Sequence, residues 1–114
     1  MALGIERQDG ADTISVIVLR GKLMLGEDCR QLEAVIPELL NEGRTKLIFE
    51  LSGVTHIDST GIGRFIDTYS KLGKLGGKMR LAGAEGTVRD SFRVTRLDTV
   101  FLFSPTVEEA RAEL

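Results

Sequence analysis

Apolar and polar positions change rhythm several times along the chain, and each change marks an element. Residues 3–9 (LGIERQD) are short and mixed, and turn-forming residues gather around Gly10 in QDGADT. Residues 15–23 (SVIVLRGKL) carry a continuous run of branched apolar side chains, as expected of a strand covered on both faces. The two segments are expected to pair as a hairpin. From 27 to 43 the period becomes helical. Cys29, Leu32, Val35 or Ile36, and Leu39 or Leu40 recur on one face, acidic residues open the segment and Gly43 closes it. Pro37 lies inside this stretch, where proline removes a hydrogen bond and clashes with the preceding turn at a cost of ~3 kcal/mol. A kink or local irregularity is expected there.

Residues 45–54 (TKLIFELSGV) read as a central strand. Beyond the stretch HIDSTGIGRF (56–65), Ile62, Phe65, Ile66, Tyr69 and Leu72 trace one helix face to about Leu75, where Gly76-Gly77 stops it. KMRLAGA (78–84) is the next strand. Residues 86–97 form a shorter helix burying Val88 and Phe92, with Leu97 at its end. TVFLFS (99–104) is the last strand, and 105–114 a closing helix with Pro105 at its start. Strands alternating with helices require crossover connections. The order β-β-α-β-α-β-α-β-α therefore predicts one α/β domain over residues 1–114. Its sheet is mixed and mostly parallel, with an antiparallel first strand and about four covering helices.

Composition narrows the function more than the fold. A chain of 114 residues, 42% hydrophobic and 28% charged, is an ordinary globular domain rather than a disordered one. Fifteen basic against seventeen acidic residues give a net charge of −2, and no basic block marks a nucleic-acid footprint. Cys29 is the only cysteine and His56 the only histidine, so there is no intrachain disulfide and no Cys/His zinc set; no cofactor is expected. Cys29 falls on the apolar stripe and is expected to pack there. The longest apolar runs, VIVL (16–19) and VFLF (100–103), are far shorter than the ~20 residues that span a bilayer. The first residues lack the basic-then-apolar layout of a signal peptide. No membrane insertion and a cytoplasmic location are the resulting expectations.

HIDSTGIGRF fails the catalytic templates it superficially suggests. Gly61-Ile62-Gly63 lacks the third glycine of a dinucleotide fingerprint, since Ile66 stands there. KLGGKM (74–79) lacks the first glycine of a phosphate-binding loop and has Met79 where a hydroxyl must hold magnesium. Ser59 is not framed as G-x-S-x-G, and His56 is too near in sequence to be taken as its base. The chain is not expected to be an enzyme. The residues do suit a helix N-terminus. Ser59 or Thr60 can cap it, Gly61 and Gly63 keep its first turn bare for close approach of another molecule, and its free N–H groups favour an anion. A capped turn with packing glycines is the alternative.

DSTGIG (58–63), following LIFELSGV and preceding a helix that ends KLGKLGGKMRLAG, resembles the signature of the STAS domain of bacterial anti-anti-sigma factors. The resemblance extends over nearly the whole chain, including VLRGKLML (18–25) and LDTVFLFSPTVEEA (97–110). It implies an anti-sigma factor antagonist that binds a serine kinase of the histidine-kinase-like ATPase type and so releases a sigma factor. Phosphorylation of the serine after the motif aspartate, here Ser59, would switch it off, and a PP2C-type phosphatase would reverse this. Asp58 is then the motif acid and Thr60 its neighbouring hydroxyl. Arg64, Asp67, Thr68 and Lys71, taken as the exposed face of the following helix, are the candidates for the rest of the interface. Gly21-Lys22-Leu23 is followed by Met24, where many switch members have aspartate. That departure keeps open a second role as accessory subunit of a lipid-transport ABC ATPase or of a stressosome-like assembly, with Ser59 and Thr60 as docking residues. His56 is either a pH-sensitive neighbour of Ser59 or an ordinary strand-end residue.

Overall fold

Five strands and four helices follow one another in the expected order in the structure, a computed structural model. It describes residues 3–10 and 13–114; residues 1–2 and 11–12, part of the turn expected around Gly10, lie outside the described residues. The strands are β1 (Gly4–Asp9), β2 (Ile14–Leu23), β3 (Lys46–Ile57), β4 (Lys78–Ala82) and β5 (Phe103–Ser104). The helices are α1 (Glu27–Asn41), α2 (Ser59–Lys74), α3 (Gly86–Val94) and α4 (Val107–Ala112). The sheet runs β1-β2-β3-β4-β5, antiparallel between β1 and β2 and parallel elsewhere. This is a single α/β domain with a mixed sheet, because each β-α-β crossover returns the chain parallel to the strand before it.

The two sheet faces are covered unequally. On one, Ile17, Leu19, Leu47, Phe49, Leu51 and Leu81 meet the apolar stripes of α1 to α3 in the main core. On the other, Val16, Ile48 and Ala82 meet Ala110 of α4. Alternation along each strand sends neighbours to opposite faces, so Leu47 and Phe49 enter one core and Ile48 between them the other. Phe49 meets Phe65 at 5.1 Å between ring centres, Phe65 meets Phe92 at 6.0 Å, and Phe92 meets Phe101 and Phe103 at 5.9 and 5.4 Å. This ring chain ties β3, α2, α3 and β5 together, with each fully buried phenylalanine contributing about 3 kcal/mol of burial.

Several expected boundaries move. α1 runs unbroken through Pro37, held to the sheet by buried Cys29, Leu32, Ile36 and Leu39. β3 continues three residues beyond Val54, because its ladder with β2 extends to His56 and Ile57. Two register shifts in that ladder give β3 two extra residues relative to β2, the mark of bulges close to the sheet end. α3 stops at Val94, and Arg96, at φ 61, turns the chain into a 3-10 turn over Leu97–Thr99. β5 therefore keeps only two of its six expected residues; Val100 and Leu102 are exposed while Phe101 is buried. Pro105 precedes α4 rather than opening it, and the Thr106 hydroxyl caps that helix by accepting from the Glu109 N–H at 3.2 Å. Ile66 and Tyr69, expected in the core, are 44% and 46% exposed because the α2 stripe that packs is Ile62, Phe65 and Leu72.

Candidate functional site: the N-terminus of α2

α2 begins where the C-terminal ends of β2 and β3 meet, and the aspartate, not a hydroxyl, caps it. Asp58 has extended backbone geometry and accepts the Gly61 N–H through Oδ1 at 2.9 Å. Its Oδ2 accepts the Leu25 N–H at 2.8 Å, which ties the β2–α1 loop to the start of the helix. Burial by itself raises the Asp58 carboxyl, but hydrogen bonds from the backbone N–H groups of Gly61, Leu25 and Thr60 outweigh it and hold the group below the usual carboxylate range. Asp58 is thus ionised and fully used. The expectation that Ser59 or Thr60 caps the helix is corrected: both lie inside the first turn, and neither hydroxyl has a hydrogen bond among the described residues. Ser59 is exposed and Thr60 half-buried.

The two glycines of the motif do different things. A Cβ on Gly61 would drive into the Leu23 backbone carbonyl and stand 3.0 Å from Ile57 Cγ1, so this glycine lets α2 seat directly on the end of β2. A Cβ on Gly63 would meet nothing within 4 Å. Only Gly63 leaves room for another molecule. Around Ser59 the surface is apolar and open. Leu25 is 77% exposed on the adjoining loop, Met24 lies beside it, and Val94 is 82% exposed at the end of α3. A cleft of about 370 Å³ runs from Asp58, Ser59 and Ile62 to Thr87, Ser91 and Val94 on α3. Sequence reading missed Leu25 and Val94. The available signal was phase: Val94 falls off the Val88–Phe92 stripe, and Leu25 follows the strand just before Gly26.

The remaining candidates separate. Arg64 is half-buried between α1 and α2, pairing with the Glu33 carboxylate and, at 3.2 Å, with Asp67 Oδ2. Asp67 and Lys71 are exposed. Thr68 is not part of an exposed face: it is 3% exposed, and its hydroxyl donates to the Arg64 carbonyl at 2.7 Å. His56 is exposed, and the hydrogen bond it makes joins Nδ1 to the Thr55 hydroxyl at 3.0 Å, so no bond connects it to Ser59. Cys29 is buried as expected, and burial, reinforced by the Asp58 charge, pushes its thiol up. Among the described residues no group of three or more His, Cys, Asp or Glu side chains could hold a metal, and no helix is long and apolar enough to cross a membrane.

The family signature of the STAS domain matches residues 5–110. The chain belongs to the STAS-domain family of anti-sigma factor antagonists. A relative in Thermotoga neapolitana, provisionally named an anti-sigma factor antagonist, is 30% identical over 80 residues, covering 70% of this chain and 71% of its own. Its counterpart in Thermotoga maritima shows the same identity and coverage. Among solved structures, an anti-sigma factor antagonist from Mycobacterium paratuberculosis superposes on the STAS domain with a TM-score of 0.84 at 26% identity, over 98% of this chain and 93% of its own. SpoIIAA in its unphosphorylated form shares the fold with a TM-score of 0.77 at 21% identity, over 96% of both chains. The phosphorylated form of Bacillus SpoIIAA gives 0.76 at 23% identity, over 96% of this chain and 98% of its own.

Proposed function

We propose that this STAS domain is a phosphorylation-switched antagonist of an anti-sigma factor. The unphosphorylated form binds an anti-sigma factor that is also a serine kinase of the histidine-kinase-like ATPase type, and so frees the sigma factor. Phosphorylation at Ser59 ends the interaction, and a PP2C-type phosphatase restores it. One observation carries the reading: Asp58 takes the capping role, so the Ser59 hydroxyl stands exposed and unbonded at the start of a helix. A phosphate adds roughly −1.5 to −2 charges. The helix N-terminus accommodates that charge, so the fold survives, while ionised Asp58 beside it concentrates negative potential where the partner docks. SpoIIAA, solved in both forms, has a fold that persists with the phosphoryl group in place.

The docking surface extends from Ser59 over Gly63 to Leu25, Met24 and Val94, with Asp67 and Lys71 at its rim. Arg64 supports it from within the α1–α2 contact. Incubation with the cognate kinase and ATP, followed by mass spectrometric mapping, is expected to place the phosphate on Ser59; a phosphate elsewhere, or none, sinks the switch. Ser59→Ala should bind the kinase as the wild type does, and Ser59→Glu at least about tenfold more weakly, from like-charge juxtaposition. Equal affinities in calorimetry would remove the electrostatic account.

Met24 favours a second reading. An apolar side chain there suits docking more than phosphoryl chemistry, as in an accessory subunit of a lipid-transport ABC ATPase or a stressosome-like assembly. Co-purification with an ABC ATPase instead of the kinase would decide for it.

A further inference from the structure

The apolar run over 99–104 predicts a full strand, but only Phe103–Ser104 pairs with β4, opposite Leu81 and Ala82. The N-terminal half of β4 is therefore an open sheet edge. Alternation decides which backbone groups face it. The Lys78 N–H donates inward, to the Thr45 carbonyl at the start of β3, at 2.9 Å, and the Leu81 N–H outward, to the Leu102 carbonyl, at 3.0 Å. Met79 has the parity of Leu81, so its N–H and C=O point out of the sheet, where β5 does not reach them. A groove of about 250 Å³ runs along this edge, lined by Tyr69, Gly77, Lys78, Met79, Arg80 and Leu102.

The two sides of the groove differ in chemistry. On the face covered by α2, Tyr69 is half exposed, and its ring stands edge-on to Phe101 at 5.6 Å. Lys78 and Leu102 are exposed on the other face: Lys78 shares the parity of Ala82, which packs against α4, and Leu102 alternates with Phe103, which packs in the main core. Arg80 lies on that face too, but it is turned to the end of α4, where it donates to the Glu113 carbonyl at 3.1 Å. Lys78 has no ion pair among the described residues. The surrounding charge is of one sign. Between Asp67 and Glu85 the chain holds Lys71, Lys74, Lys78 and Arg80 and no acidic residue, although its net charge is −2.

We propose that this edge binds an acidic, extended peptide segment of a partner protein as an added strand. The Met79 N–H and C=O pair with the peptide backbone. Its side chains then fall alternately on the two faces, apolar ones against Tyr69 and carboxylates against Lys78, with Leu102 closing the end of the groove nearest β5. A second copy of this chain does not suit the edge, because two-fold pairing would set Lys78 and its basic neighbours against themselves. The groove lies past the C-terminal end of α2 and Ser59 opens that helix, so the two surfaces are independent.

Titration of the isotope-labelled full chain with a short capped peptide of alternating aspartate and valine tests the site by amide shifts and hydrogen exchange. Saturable shifts at Gly77, Met79 and Leu102 are expected, with slowed exchange of the Met79 amide as its N–H gains a partner. A peptide with lysine in place of aspartate should not bind. Lys78→Glu should weaken binding at least about tenfold, and Leu102→Ser several-fold. Both side chains are exposed, so each variant should keep the wild-type thermal midpoint. The proposal is overturned by absence of saturable shifts, by unchanged Met79 exchange at saturation, by equal binding of the lysine peptide, or by wild-type affinity in both variants. Two further results overturn it in favour of another occupant: co-sedimentation with phosphatidylglycerol vesicles without peptide binding, or concentration-dependent dimerisation that protects the Met79 amide.

Discussion

The parallel strands begin and end in differently finished surfaces. Where β2 and β3 begin, charges close on one another. Arg7 pairs with Asp9 at 2.8 Å and with the Glu42 carboxylate, and Arg44 donates to the Ser15 hydroxyl and, at 2.6 Å, to the Ile14 carbonyl. Where they end, Asp58 is spent on backbone N–H groups, and Ser59 is left open beside Leu25 and Val94. A surface that pairs its polar groups serves the chain's own stability; one that leaves a hydroxyl bare among exposed apolar side chains suits the docking role proposed for it. The difference lies in composition and in pairing alike: arginines meet carboxylates at one end, and a single spent acid stands beside exposed apolar side chains at the other.

The sharpest way to break this contrast lies within the motif itself. Gly61→Ala forces a Cβ into the Leu23 carbonyl, and a loss of about 3 kcal/mol is expected in denaturant unfolding, as for other overpacked sites. Gly63→Ala enters open space and gains helix propensity, so the free chain should be stabilised by up to ~1 kcal/mol while partner affinity falls. If both variants unfold alike, the division of labour between the two glycines is wrong. Next in size, if the proposed function holds, Leu25→Ser and Val94→Ser should each weaken binding of the proposed kinase partner about tenfold in calorimetry and leave the thermal midpoint unchanged, as expected of interface anchors outside the core. A fall in midpoint with unchanged binding would instead make them structural.

Asp58→Ala removes the cap of α2 and the tie to Leu25, and should cost about 1 kcal/mol, with Asp58→Asn recovering most of it because an amide oxygen still accepts. At the opposite end the smallest effect is one of pH. Hydrogen bonding from Arg7 holds Asp9 down to about 2, from 3.8, and also lowers Glu42. A carboxylate depressed on folding contributes stability that is complete above its unfolded value and is lost as pH falls through its folded value. The wild type should therefore lose part of its stability between pH 3.8 and about 2, and Arg7→Ala should flatten that segment of the melting-temperature profile.

Much of this architecture was legible from periodicity. The stripes through Cys29, Leu32, Phe65 and Leu72 follow from helical spacing, and the crossover order implies the parallel sheet. The errors share a cause. VFLF looked like a strand because apolar runs do not reveal register, whereas Arg96 in a left-handed conformation sends Val100 and Leu102 outward. Thr68 looked exposed because helical phase does not say that α1 packs along that side of α2. Asp58 was readable as a cap, since aspartate ranks with serine there, but its second bond to Leu25 joins residues 33 positions apart and has no local signal.

The sequence by itself determined the order of elements, the apolar faces and the D-S-T-G-I-G motif that marks the family, because these depend on local spacing and residue type. Only the tertiary structure decided that Asp58 is spent, that Ser59 is free, and that Gly61 packs while Gly63 stays open. Each of those depends on which distant backbone or side chain comes within hydrogen-bonding or contact distance. That is a property of the folded sheet and its helices, and no window of neighbouring residues contains it.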